Sequence, residues 1–140
     1  MTPEAAPYSN ELADLAFFCI DHAIASLPQG GPLTPFVVVE RLGKRQLYRF
    51  AFDRLEAGVS AARKHAATEL TTAASELDRV AITYDGLVTL QGEKQDAILV
   101  EAYDSAPPNG HVLAQRYGQA GDHTQAIGNA MYLGAAPKLT

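Results

Sequence analysis

"ITYDGLVTLQGEKQDAILVEAYD", residues 82 to 104, decides the fold, because it reads either as two long strands around one turn or as three short ones. Asp85 and Gly86 have the composition of a two-residue hairpin turn. Apolar and β-branched residues nevertheless resume at Leu87, and "QGEK" at 91–94 offers a reversal soon after, with Gly92 able to supply positive φ. We therefore read one strand over 79–90 with a bulge at Gly86, and a second strand ending near Asp104.

Four acids of this stretch, Asp85, Asp96, Glu101 and Asp104, are the candidates for a catalytic or metal-binding constellation. An acid–base pair needs carboxylates that face one another and have pKa values pushed apart. Asp96 and Glu101 are an odd number of positions apart, so they point to opposite faces of their strand. These residues read as turn and solubility positions, with Asp104 starting a turn.

Downstream, "SAPPNG" turns the chain through Pro107, Pro108, Asn109 and Gly110, and "HVLAQRY" at 111–117 gives a further strand. Upstream, "PFVVVERLGKRQLYRFAF" at 35–52 reads as a hairpin with strands near 35–41 and 46–52 around Gly43.

Two helices precede these strand groups. "NELADLAFFCIDHAIASL" at 10–27, capped by Ser9 or Asn10, carries an apolar arc of Leu12, Leu15, Ala16, Phe17, Cys19, Ile20, Ala23, Ile24 and Leu27. "PQGGP" at 28–32 ends it. The second helix starts at Asp53 and Glu56, spaced as a capping box, and its stripe is Leu55, Val59, Ala62, Ala66, Leu70 and Ala73. Small side chains in that stripe suit a close approach to a sheet, and Gly58 within the helix marks either a tight backbone approach or a tolerated weak spot. The segment 118–140 is rich in Gly and Ala, and reads as a flexible tail with a short helix near 125–133.

The expected fold is α+β: one domain over 1–140, with a single antiparallel sheet of about five strands packed with two helices, in the order α-β-β-α-β-β-β. That order is similar to the order of elements in roadblock and profilin-like domains. No residue motif accompanies the likeness, so it brings no site residues with it.

Composition narrows the function. Hydrophobic residues at 47% against 19% charged suit a globular core. Sixteen acids against 11 bases give a net charge of −5, the wrong sign for affinity built on phosphates, so nucleic acid is not an expected partner. Arg41, Lys44, Arg45 and Arg49 read as charges guarding a strand edge. Cys19 is the sole cysteine, which rules out an internal disulfide and a thiolate zinc site and points to a cytoplasmic protein. The opening residues lack a signal-peptide pattern, and no apolar run has the length of a membrane span.

His22, His65, His111 and His123 have no metal-binding spacing, and neither GxSxG, a phosphate loop nor GxGxxG occurs, so no metal and no cofactor are expected. Two functions remain as expectations. The first is a non-catalytic binding or assembly module, a homodimer or partner-protein binder, contacting its partner through a strand edge or through Phe18, which points between Asp14 and His22 on the acidic helix face. The second is a small enzyme or anion-binding protein with a site near the 104–117 hairpin and the tail. There Arg116 would hold the anion beside Gln115, Tyr117, Asp104 and His111. The alternative role for Arg116 is an ion pair with Glu101 across the hairpin.

Overall fold

In the computed structural model, residues 7–27, 33–72, 76–105 and 109–139 are described. The "PQGGP" turn, Ala73 and the Pro107-Pro108 turn lie outside them. The order of elements is α1 (Asn10–Ala25), β1 (Phe36–Arg41), β2 (Lys44–Arg49), α2 (Leu55–Thr72), β3 (Leu77–Leu90), β4 (Glu93–Asp104), β5 (Gly110–Ala120), β6 (His123–Ala126) and β7 (Met131–Ala135). All pairings are antiparallel, in the order β2-β1-β3-β4-β5-β6, with β7 also on β5. The fold is α+β, as expected, with seven strands in place of five.

The two extra strands come from the tail. β6 folds back on the end of β5, from Tyr117↔Ala126 to Ala120↔His123, and β7 runs along its beginning, from His111↔Ala135 to Ala114↔Met131. No helix forms over 125–133. The exposed edge of β5 offers unpaired backbone groups, and pairing with them makes strands of a segment with little strand propensity of its own.

The helices cover opposite faces of the sheet. Ser9 caps α1 by accepting from Leu12 N at 3.1 Å. Leu12, Leu15, Ala16, Cys19, Ile20 and Ala23 of α1 pack on Val38, Ala81, Ile98, Val100, Ala102, Leu113 and Tyr117. Phe17, expected on the apolar arc, is exposed. On the other face Ala62, Ala66 and Leu70 of α2 meet Val37, Val39, Val80, Ile82 and Tyr103. β1 shows why "FVVVE" is a continuous run: covered on both faces and paired on both edges, it buries every residue from Phe36 to Glu40.

Asp85 and Gly86 form neither a turn nor a bulge. β3 pairs with β4 without a register shift from Arg79↔Asp104 to Leu90↔Glu93, and the chain reverses at Gln91 and Gly92, both at positive φ. The Leu99 side chain lies across Gly86 instead: a Cβ there would stand 2.5 Å from Leu99 Cδ1, and that side chain would have to turn aside.

The start of α2 also departs from expectation. Arg54 occupies the cap position, its carbonyl accepting from Gly58 N at 3.3 Å. Asp53 is exposed and makes no capping bond among the described residues. Gly58 does mark a close approach, since a Cβ would stand 2.7 Å from the Phe50 carbonyl oxygen and 3.2 Å from Pro35 Cγ. Phe50 N donates to Pro35 O at 2.9 Å, so both obstacles belong to one fixed unit. Gly58→Ala should gain roughly 1 kcal/mol of helix propensity. Overpacking should cost about 1–3 kcal/mol. With backbone as the obstacle the cost sits high in that range, and we expect a net loss of about 1–2 kcal/mol in urea unfolding. A variant as stable as the parent would mean that the helix start moves aside freely.

Candidate functional site

The most unusual charge in the fold is Glu101. It lies in β4 at the middle of the sheet, opposite Ile82 on one side and Val112 on the other, and its side chain is 2% exposed. Removing a carboxylate from water costs several kcal/mol unless donors replace the water. Arg63 of α2 and Tyr84 of β3 provide them. Arg63 donates through Nε to Glu101 Oε1 at 3.1 Å and through Nη2 to Oε2 at 2.5 Å, a two-pronged contact. The Tyr84 hydroxyl donates to Oε2 at 2.5 Å, and the Arg63 guanidinium sits 5.5 Å over the Tyr84 ring.

The small residues of the α2 stripe make this reach feasible. Ala62 and Ala66 are fully buried, so the helix lies close to the sheet and Arg63 can pass down its flank. The hydrogen bond to Glu101 raises the Arg63 pKa. Burial, and then the bond to Glu101, raises that of Tyr84. Each proton is therefore held where it is, and the three groups form a saturated strut.

Beside the strut is a cleft of about 560 Å³, within the range of small-molecule sites. α2 contributes Leu55, Val59, Ser60, Arg63, Lys64 and Ala67; β3 contributes Tyr84 and Asp85; the chain after β7 contributes Lys138 and Leu139. Two hydrogen bonds fix that last wall, Ala136 N to Gly110 O at 3.0 Å and the Tyr103 hydroxyl to Pro137 O at 2.6 Å.

The five ligand-site residues expected from sequence do not converge. Gln115 and Tyr117 share the α1 face. Gln115 Nε2 reaches the carbonyls of Arg116, Ile127 and Gly128 at 3.1, 3.1 and 3.2 Å, stapling the chain that leaves β6. The Tyr117 hydroxyl donates to Asp85 Oδ1 at 2.8 Å, and Asp85 Oδ2 accepts from Leu33 N at 2.9 Å. Arg116 is on the opposite face, donating to Gln95 Oε1 at 3.1 Å, with its guanidinium packed on Gly128. It makes no pair with Glu101, which Arg63 holds. Asp104 ends a ladder of ion pairs, Arg45 to Glu40 at 2.9 Å, Glu40 to Arg79 at 2.7 Å and Arg79 to Asp104 at 3.1 Å. His111 Nδ1 lies 3.0 Å from the Tyr132 hydroxyl, with the Tyr8 ring beside both.

The helix face expected to meet a partner is partly covered from within. Arg45 stands 4.9 Å over the Phe18 ring, and His22 stacks on it at 6.2 Å. His22 Nε2 lies 3.1 Å from Arg49 Nη2, and burial, then Arg49, lower its pKa. Asp14 is exposed. Cys19 is fully buried and its thiol is pushed up to about 12, chiefly by burial. Among the described residues no group of three or more His, Cys, Asp or Glu is placed to hold a metal, and no helix is long and apolar enough to cross a membrane.

Burial raises the pKa of Tyr103 and Tyr117 as it does that of Tyr84. A group whose folded pKa lies above its unfolded value adds stability below the unfolded value, and loses it as the pH climbs through the folded one. Stability should therefore fall above about pH 10, the ordinary tyrosine value, and these three hydroxyls should ionise together with loss of the fold. Ultraviolet absorbance of tyrosinate followed alongside circular dichroism checks this, and ionisation well before the circular dichroism change would refute it.

Comparison with known proteins gives no match to a family model, to a curated protein or to a solved structure.

Proposed function

We propose that the protein is a non-catalytic binding domain that takes a small molecule in the cleft between α2 and the chain after β7. One observation carries the reading: a cleft of about 560 Å³ with aliphatic walls stands against the Arg63, Tyr84 and Glu101 strut, whose geometry is set before a ligand arrives. The same saturation speaks against an enzyme. Glu101 already accepts from two side chains, and Arg63 and Tyr84 hold their protons more tightly than usual, so none of the three is poised to move one.

A screen of small fragments followed by amide chemical shifts tests the proposal. Shifts should gather at residues 55–67, 84–85 and 138–139. Hits confined to the hollow between α1 and β6, lined by Phe17, Ile24 and Gln115, would overturn it.

Self-association is a second reading, favoured by one feature. Ile127, Tyr132 and Leu133 are exposed along the β6 and β7 side of the sheet, at 40%, 41% and 50%, and edge strands readily pair with a second copy. Light scattering over a dilution series should give a dimer that Leu133→Lys dissociates and Phe18→Asp leaves intact. A monomeric parent removes this reading, and loss of the dimer in Phe18→Asp would return the interface to α1.

A further inference from the structure

The cleft is lined by charges of both signs, and which of them are already engaged determines what it can recognise. Glu101, beneath it, accepts three donor contacts from Arg63 and Tyr84. Asp85 has both oxygens occupied, by Leu33 N and by the Tyr117 hydroxyl. Glu56 is on the exposed rim, 3.8 Å from Arg54. The acids are thus matched or turned to solvent. Lys64 and Lys138 are different. One comes from each of the two segments that border the cleft, both are exposed, and neither has an ion pair among the described residues.

The cleft's lining also has an aliphatic part, made by Leu55, Val59 and Leu139. One face of the Tyr84 ring is already taken by the Arg63 guanidinium, 5.5 Å from its centroid. From this arrangement we infer that the cleft takes an amphipathic anion, a carboxylate or phosphate head held by Lys64 and Lys138 and an aliphatic body laid along Leu55, Val59 and Leu139. The inference rests on the cleft being the binding site, and it adds the class of ligand. A cationic head would meet two unpaired ammonium groups, while of the acids lining the cleft Asp85 is already matched and Glu56 stands on the exposed rim beside Arg54.

The test uses four probes with the same eight-carbon chain: octanoate, octyl phosphate, octanol and octyltrimethylammonium, titrated into the full chain and followed by amide shifts. The two anions should bind roughly twofold to thirtyfold more tightly than octanol, the combined effect of two exposed ion pairs. Their affinity should fall with added salt. Lys64→Met and Lys138→Met should each weaken them severalfold while leaving octanol unchanged. Both lysines are exposed, so neither variant should disturb folding. The octanoate to octyl phosphate ratio tells which head is preferred.

Octanol binding as tightly as octanoate, with the lysine variants silent, would overturn the anion while leaving the cleft in place. Tightest binding by octyltrimethylammonium would do the same. If none of the four probes shifts the cleft residues although fragments do, the amphipathic class is wrong. If fragments fail there as well, the binding-domain proposal falls with it.

Discussion

Arg63→Met should destabilise the fold by about 3–5 kcal/mol, the cost of leaving a buried ion without its partner. The variant leaves Glu101, 2% exposed, with Tyr84 as its remaining side-chain donor. Glu101→Leu should cost less, about 1–3 kcal/mol, because Arg63 is 39% exposed and can turn its guanidinium into water. The asymmetry distinguishes a strut anchored by its buried acid from a surface pair, whose two removals would each matter little. The double variant sharpens the test. With both charges gone no buried ion remains, only the Tyr84 hydroxyl, and the pair should be more stable than Arg63→Met alone. Urea unfolding of the three variants measures this, and simple addition of the two single losses would show that the residues do not act as a unit.

Tyr103→Ala should also cost about 3–5 kcal/mol, as large aromatic truncations in cores do. Tyr103 is among the largest fully buried side chains, and its hydroxyl holds the Pro137 carbonyl. The loss should be felt in two places. Global stability falls, and the wall carrying Lys138 and Leu139 comes away, so trypsin should cut after Lys138 faster than in the parent. Tyr103→Phe keeps the ring and loses one hydrogen bond, about 1 kcal/mol, and isolates the second effect from the first. Equal cleavage in parent and Tyr103→Ala would mean that this tyrosine does not hold the wall. Octanoate binding should weaken in Tyr103→Ala as well, because one of the two lysines leaves with the wall.

Much of the fold was legible wherever local pattern and tertiary demand agree. α1 shows its period and its Ser9 cap, the "QGEK" reversal shows its glycine, and "FVVVE" shows a strand. Gly58 reads equally as a close approach or a tolerated weak spot, and Phe50 O and Pro35 decide for the close approach. Other features depend on neighbours distant in sequence. Gly86 reads as a bulge until Leu99 is placed across it, and β6 and β7 read as a helix or a loose tail until β5 offers them its edge.

The site was less legible than the fold. Arg116 stands out in the sequence as a cation in a polar cluster, whereas Arg63 is not singled out there. Two signals could have found it. Glu101 is the lone charge within "AILVEAY", a run buried on both faces, so it needs a cation from a covering helix. Arg63 lies one turn after Val59, on the flank of the buried stripe, where it can supply one. Lys138 carries no comparable signal, since its place depends on where Tyr103 fastens the chain.

The strand order has a consequence for how the molecule comes together. β1 with β2, β3 with β4, and β5 with β6 are hairpins of adjacent segments, and β4 meets β5 across one short connection. Each can close with little loss of chain entropy. The seam between β1 and β3 is different, for Arg41 finds Leu77 only after the chain has passed through β2 and the whole of α2. It divides the molecule into an N-terminal part that carries both helices and a C-terminal part built of strands alone. Neither part has both walls of the cleft, since α2 lies before the seam and Lys138 after it. Conversion of two halves into one folded chain and creation of a binding-competent one are then a single event. Slow refolding, where observed, should appear with the same time constant in ligand capture as in circular dichroism.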